Sequence, residues 1–149
     1  MTALVAEALG YQIADKSILK NINISLDKGR VLGVIGPNGA GKTSLLKILS
    51  GQMNGLGKVS WQQQNIEDYS AQELAKQIAV VNQLNDGVFA LNLQQIVRMG
   101  LLPHKSLLSK QTDEDDRNIA KAIARVGLAG KINQTFQSMS GGEQQRGLI

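Results

Sequence analysis

The stretch Gly36-Pro37-Asn38-Gly39-Ala40-Gly41-Lys42-Thr43 limits what this chain can fold into more than any other feature. It reads G-x-x-x-x-G-K-T. It follows the apolar run 31–35 and opens into Leu45, Leu46, Ile48 and Leu49, an apolar stripe at helical spacing. The pattern makes physical sense only between a strand and the start of a helix. Glycines let the backbone take positive φ and approach a ligand closely. Successive N–H groups then converge on an anion, and the helix behind contributes its unpaired N–H groups and positive end. Lys42 is expected to reach the outer phosphates of a nucleotide, and the Thr43 hydroxyl to hold Mg2+. Ser44 follows in the same helical turn.

The remainder of the chain supports an α/β reading. Residues 3–9 predict a short strand. Ile22, Ile24 and Leu26 alternate with Asn21, Asn23 and Ser25, the period of a half-buried strand. Runs 31–35 and 78–81 are short and apolar, as in strands buried on both faces. Val59 and Trp61 suggest another strand, and residues 71–77 a helix. Leu93, Ile96 and Val97 recur at helical spacing. The clearest helix begins after Thr112, a capping residue, with Asp113-Glu114-Asp115-Asp116 at its positive end and Gly127 at its close. A last helix starts near Gly141. Strands alternating with helices predict a substantially parallel sheet.

Composition removes several classes of protein. The 149 residues contain no cysteine, which excludes disulfide frameworks and thiolate metal sites. No apolar run is long enough to span a bilayer, and the first ten residues do not have the form of a signal peptide. The net charge of +4 comes from scattered residues without interleaved aromatics, so no nucleic-acid partner is expected.

A second motif, Ser140-Gly141-Gly142-Glu143-Gln144-Gln145-Arg146, resembles the signature of ABC ATPases, usually L-S-G-G-[QE]. Ser140 and Glu143 also read as a capping box, which is compatible with that role. A phosphate-binding loop followed by this signature resembles an ABC nucleotide-binding domain over nearly the whole chain. The resemblance implies a P-loop NTPase with a small antiparallel β part and a helical subdomain. The ATP-binding core would occupy residues 1–83, the helical subdomain about 84–139, and the signature with the start of its helix 140–149. It also implies that Tyr11 stacks on adenine, that Gln83 helps position Mg2+ and water, and that residues 36–44 hold the phosphates of ATP. Ser140, Gly141, Gly142 and Glu143 would serve the ATP of a second nucleotide-binding domain.

Permease subunits in the membrane are the other implied partners, with this chain peripheral on the cytoplasmic face of the inner membrane. Residues 97–104 (Val-Arg-Met-Gly-Leu-Leu-Pro-His) are similar to a segment of importer ATPases for iron–siderophore, haem and vitamin B12, where Gly-Arg-x-Pro-His is common; Leu101 stands in the Arg position. Two alternatives stay open. One is a binding-only module, and the other an ABC ATPase acting on nucleic acid or the ribosome.

Departures from the family pattern are Asn82 before Gln83, Met139 before Ser140, and Gly147 inside a helix. His104, the only histidine, precedes the signature and is not the family's switch histidine. No four apolar residues are followed by two acids, so the resemblance implies a fold incomplete at its C-terminus, without the Asp-Glu pair that supports Mg2+ and polarises water. Poor or absent ATP hydrolysis by these residues alone is the expectation.

Overall fold

The computed structural model describes residues 2–81, 91–105 and 110–149. The chain divides into two compact units, Met1–Ile78 and Ala79–Ile149.

The first unit is built on a sheet of order β2-β1-β3-β4, with β1 at Thr2–Ile13, β2 at Lys16–Asp27, β3 at Leu56–Trp61 and β4 at Gln64–Asn65. Every strand pair is antiparallel. Strand β1 runs past the expected end at residue 9, because β2 and β3 pair with it on both edges as far as Ile13 and Gly10. The expected alternation holds in β2. Ile22, Ile24 and Leu26 are half-buried, and Asn21, Asn23 and Ser25 are exposed. Helices α1 (Lys42–Leu49) and α2 (Ala71–Gln77) complete the unit. Leu45, Ile48 and Leu49 of α1 pack with Leu4, Leu9, Leu19, Val59 and Ile66 to form its core.

The bend in β1 has a specific cause. Its register slips between Glu7 and Gly10 against β3 and between Ala6 and Leu9 against β2, which marks a bulge. Ala8 there has a φ of 50°, and its N–H is taken by Asn23 Oδ1 at 2.9 Å. Opposite stands Gly57, with a φ of 88° and its α-carbon against the carbonyls of Glu7 and Ala8.

Two expected strands are absent. Residues 31–35 and 78–81 form no ladder, and Val31 and Ile35 are 98% and 96% exposed. A buried strand needs backbone partners on its edges, and the described residues offer none here. The expected parallel sheet is accordingly not found among them.

The second unit is helical, with α3 at Leu93–Met99, α4 at Asp113–Arg125 and α5 at Gly141–Gly147. Its core joins Leu93 and Ile96 of α3, Ile119 and Ile123 of α4, and Leu128, Phe136 and Met139. Thr112 caps α4 as expected: its Oγ1 accepts the Asp115 N–H, and Gly127 follows the helix with a φ of 74°. Gly147 also finds its reason, since an added Cβ would lie 2.8 Å from Leu93 Cδ1 and 3.2 Å from Phe136 Cε2. His104 is exposed in a short 3-10 turn, Leu102–His104.

Candidate nucleotide site

The loop 36–41 is exposed apart from Gly41, which is half-buried. Gly39 and Gly41 have φ of 81° and 87°, as a tight turn into a helix demands. Gly41 lies on β2, where a Cβ would come within 2.9 Å of Ile18 Cγ2 and Leu19 Cδ2, whereas nothing lies within 4 Å of one built at Gly39. The loop is therefore anchored on the sheet side and open at its tip. The first helical bond of α1 is Leu45 N–H to Gly41 C=O, at 2.8 Å. The N–H groups of Lys42, Thr43 and Ser44 have no intrahelical acceptor by helix geometry, and Gly41 caps them with no side chain. No acid occupies the first turn of α1 to compete for them.

Lys42 folds back over the loop, its Nζ donating to the carbonyls of Gly36 and Pro37, both at 2.7 Å. The ammonium is thus centred above the turn. Open N–H groups, an ammonium and the exposed Thr43 hydroxyl form a donor set suited to a polyphosphate. Among the described residues no cluster of three or more His, Asp or Glu could hold a metal ion by itself.

Tyr11 is half-buried on β1, with Leu19 as its partner on β2. Since Leu19 also underlies Gly41, Tyr11 and the loop share one stretch of sheet. Gln83 lies outside the described residues.

The Ser140 turn belongs to the helical unit. Ser140, Gly141 and Gly142 are exposed, with nothing within 4 Å of a Cβ at either glycine. Ser140 is the N-cap of α5, and its N–H donates to Glu143 Oε2 at 3.0 Å. Buried Met139 occupies the position before it. What holds Glu143 on its other side is not visible in the local sequence, because the partner is twelve residues away: Lys131 Nζ donates to Glu143 Oε1 at 2.7 Å. A similar pair joins Lys105 to Asp115, whose Oδ2 also accepts the Thr112 N–H.

These contacts depress both carboxyls. Lys105, then the Thr112 N–H and hydroxyl, lower Asp115 from 3.8 to about 2. Lys131, then the Ser140 N–H and hydroxyl, lower Glu143 from 4.5 to about 2. A carboxyl depressed in the folded state stabilises it fully above the unfolded value and loses that contribution as pH falls toward the folded value. The protein is therefore expected to lose stability between pH 4.5 and about 2, followed by urea midpoints. The double variant Asp115→Asn, Glu143→Gln should show a flatter profile; an identical profile would contradict this origin.

Residues 19–149 match the family model described as ABC transporter. The chain belongs to that family. Among its relatives are ATP-binding proteins of import systems. It is 34% identical over 147 residues to the iron(3+)-hydroxamate import ATP-binding protein FhuC of Bacillus subtilis, covering 98% of this chain and 55% of that one. It is 38% identical over 145 residues to the hemin import ATP-binding protein HmuV of Gloeobacter violaceus, covering 96% and 52%. A solved inward-facing ABC transporter assigned to the metal-chelate type superposes with a TM-score of 0.81 at 30% identity, over 99% of this chain and 54% of that one. The chain spans about half the length of the curated relatives it matches. No helix among the described residues is long and apolar enough to cross a membrane.

Proposed function

We propose that this chain binds MgATP on residues 36–44 and is the ATP-binding part of an importer for an iron chelate or haem. The observation that carries the reading is the loop itself: Lys42 Nζ seated above it, and the open N–H groups of α1 behind. Lys42 would exchange its two carbonyl partners for phosphate oxygens. Bound Mg2+ would neutralise phosphate charge, and the Thr43 hydroxyl would help to hold it. Tyr11 would stack on the adenine, and Gln83 would meet Mg2+ and water. Ser140, Gly141, Gly142 and Glu143 would face the ATP of a second nucleotide-binding domain. The names of the relatives support the choice of cargo, and the similarity at residues 97–104 agrees with it.

Import implies docking on permease subunits at the cytoplasmic face of the inner membrane. The 149 residues contain no paired acids after an apolar run, so binding without appreciable turnover is the reading for this stretch alone. Co-expression with the membrane subunits of an iron-chelate or haem permease tests the assignment. The chain should co-elute with them after detergent extraction. Elution apart from every such permease, or with RNA instead, would contradict it.

A further inference from the structure

We propose that Lys131 is a positioning residue for the Ser140 turn, acting through Glu143. This rests on the proposed function, in which the turn meets a nucleotide. Glu143 has two tasks in the structure. Oε2 accepts the Ser140 N–H at 3.0 Å, and Oε1 accepts the Lys131 ammonium at 2.7 Å.

Without Lys131 the carboxylate would remain a full negative charge beside the turn. It would repel an approaching phosphate and swing about its own side-chain torsions. Lys131 removes both faults. It neutralises the charge locally, and it fixes the carboxylate so that the turn's backbone keeps one orientation.

Lys131 is itself well held. It ends a 3-10 turn, Ala129–Lys131; its N–H donates to Leu128 C=O at 2.9 Å, and its C=O accepts the Gln134 N–H at 2.9 Å. Leu128 is 2% exposed, so the anchor reaches the core. From the other side, Gln144 Nε2 of α5 donates to Phe136 C=O at 2.8 Å. The ammonium thus approaches Glu143 from a turn whose own backbone bonds are made outside α5.

Lys105 makes a comparable pair with Asp115 at the start of α4. That pair holds the cap of α4 and touches no residue of the Ser140 turn in its hydrogen bonds, which makes it the natural control. The variants Lys131→Met, Lys131→Arg and Lys105→Met would be compared with wild type. The readouts are thermal midpoint, MgATP affinity at dilutions where the chain is monomeric, and MgATP-driven self-association in the ultracentrifuge. Lys131→Met should weaken self-association about tenfold, the scale of one charge-assisted hydrogen bond, while its own-site affinity stays unchanged. Lys131→Arg should restore association to within about threefold, since it keeps the charge and the donor. Lys105→Met should leave association at the wild-type level.

The proposal is overturned by Lys131→Met associating like wild type, or by Lys105→Met weakening association equally, which would make both pairs mere staples. A wild type that binds MgATP yet never self-associates would overturn the underlying role of the turn, and the proposal with it.

Discussion

Gly57→Ala is expected to destabilise the fold by about 4 kcal/mol, a large share of the roughly 5–15 kcal/mol that domains usually have. Two effects add. The φ of 88° at Gly57 is left-handed, where a Cβ is strained, at a cost of about 1 kcal/mol or somewhat more. The greater effect is steric. The new Cβ would lie 2.4 Å from Glu7 O and 2.5 Å from Ala8 O, and both are backbone atoms of the bulge in β1. That bulge is fixed from its other edge by Asn23 Oδ1 on the Ala8 N–H, so it cannot simply retreat. Gly29→Ala is the matched control. Gly29 has a similar φ of 77° with nothing within 4 Å, so only the backbone strain of about 1 kcal/mol should be felt. Urea denaturation of both variants separates strain from clash. Equal losses for the two would show that the close approach of β3 to the bulge is not what makes Gly57 necessary.

Lys42→Ala is expected to weaken MgATP binding about 100-fold, with little change in thermal midpoint. The loss of affinity follows from charge. Lys42 is the ammonium held over the loop, and a bound triphosphate without it would keep only the N–H groups, the Thr43 hydroxyl and Mg2+. The small effect on stability follows from exposure. The two bonds lost, to Gly36 and Pro37 carbonyls, lie in an exposed loop where water can replace the ammonium. Lys42→Arg should recover only part of the affinity, because a planar guanidinium does not replace a point charge in a turn this tight.

Local chemistry was readable before the fold was. The N-cap of α4 follows from Thr112 and Asp115, the alternation of β2 from Ile22, Ile24 and Leu26, and the start of α1 from Gly41 and Lys42. Each depends on residues within a turn or two of one another. What escaped the sequence depends on distant partners. Lys131 and Glu143 are twelve residues apart, Lys105 and Asp115 ten, and neither spacing is a local pattern. Gly57 looks like any strand glycine until β1 is laid beside it with its bulge. The runs 31–35 and 78–81 failed as strands for a related reason: apolar character announces burial, and Val34 and Ile78 do pack on the core, but a ladder requires a backbone partner, and none among the described residues pairs with these segments. The helix expected after the 36–41 turn nevertheless forms, because its start depends only on Gly41 and the residues that follow it.

Whether the loop at 36–44 is a nucleotide site decides everything built on it, and a calorimetric titration of the purified protein with MgATP tests it most directly. Saturable binding at one site per chain is expected, weakened about 100-fold in Lys42→Ala while that variant keeps its wild-type thermal midpoint. No heat from a folded wild-type protein, or binding that Lys42→Ala leaves unchanged, would contradict it.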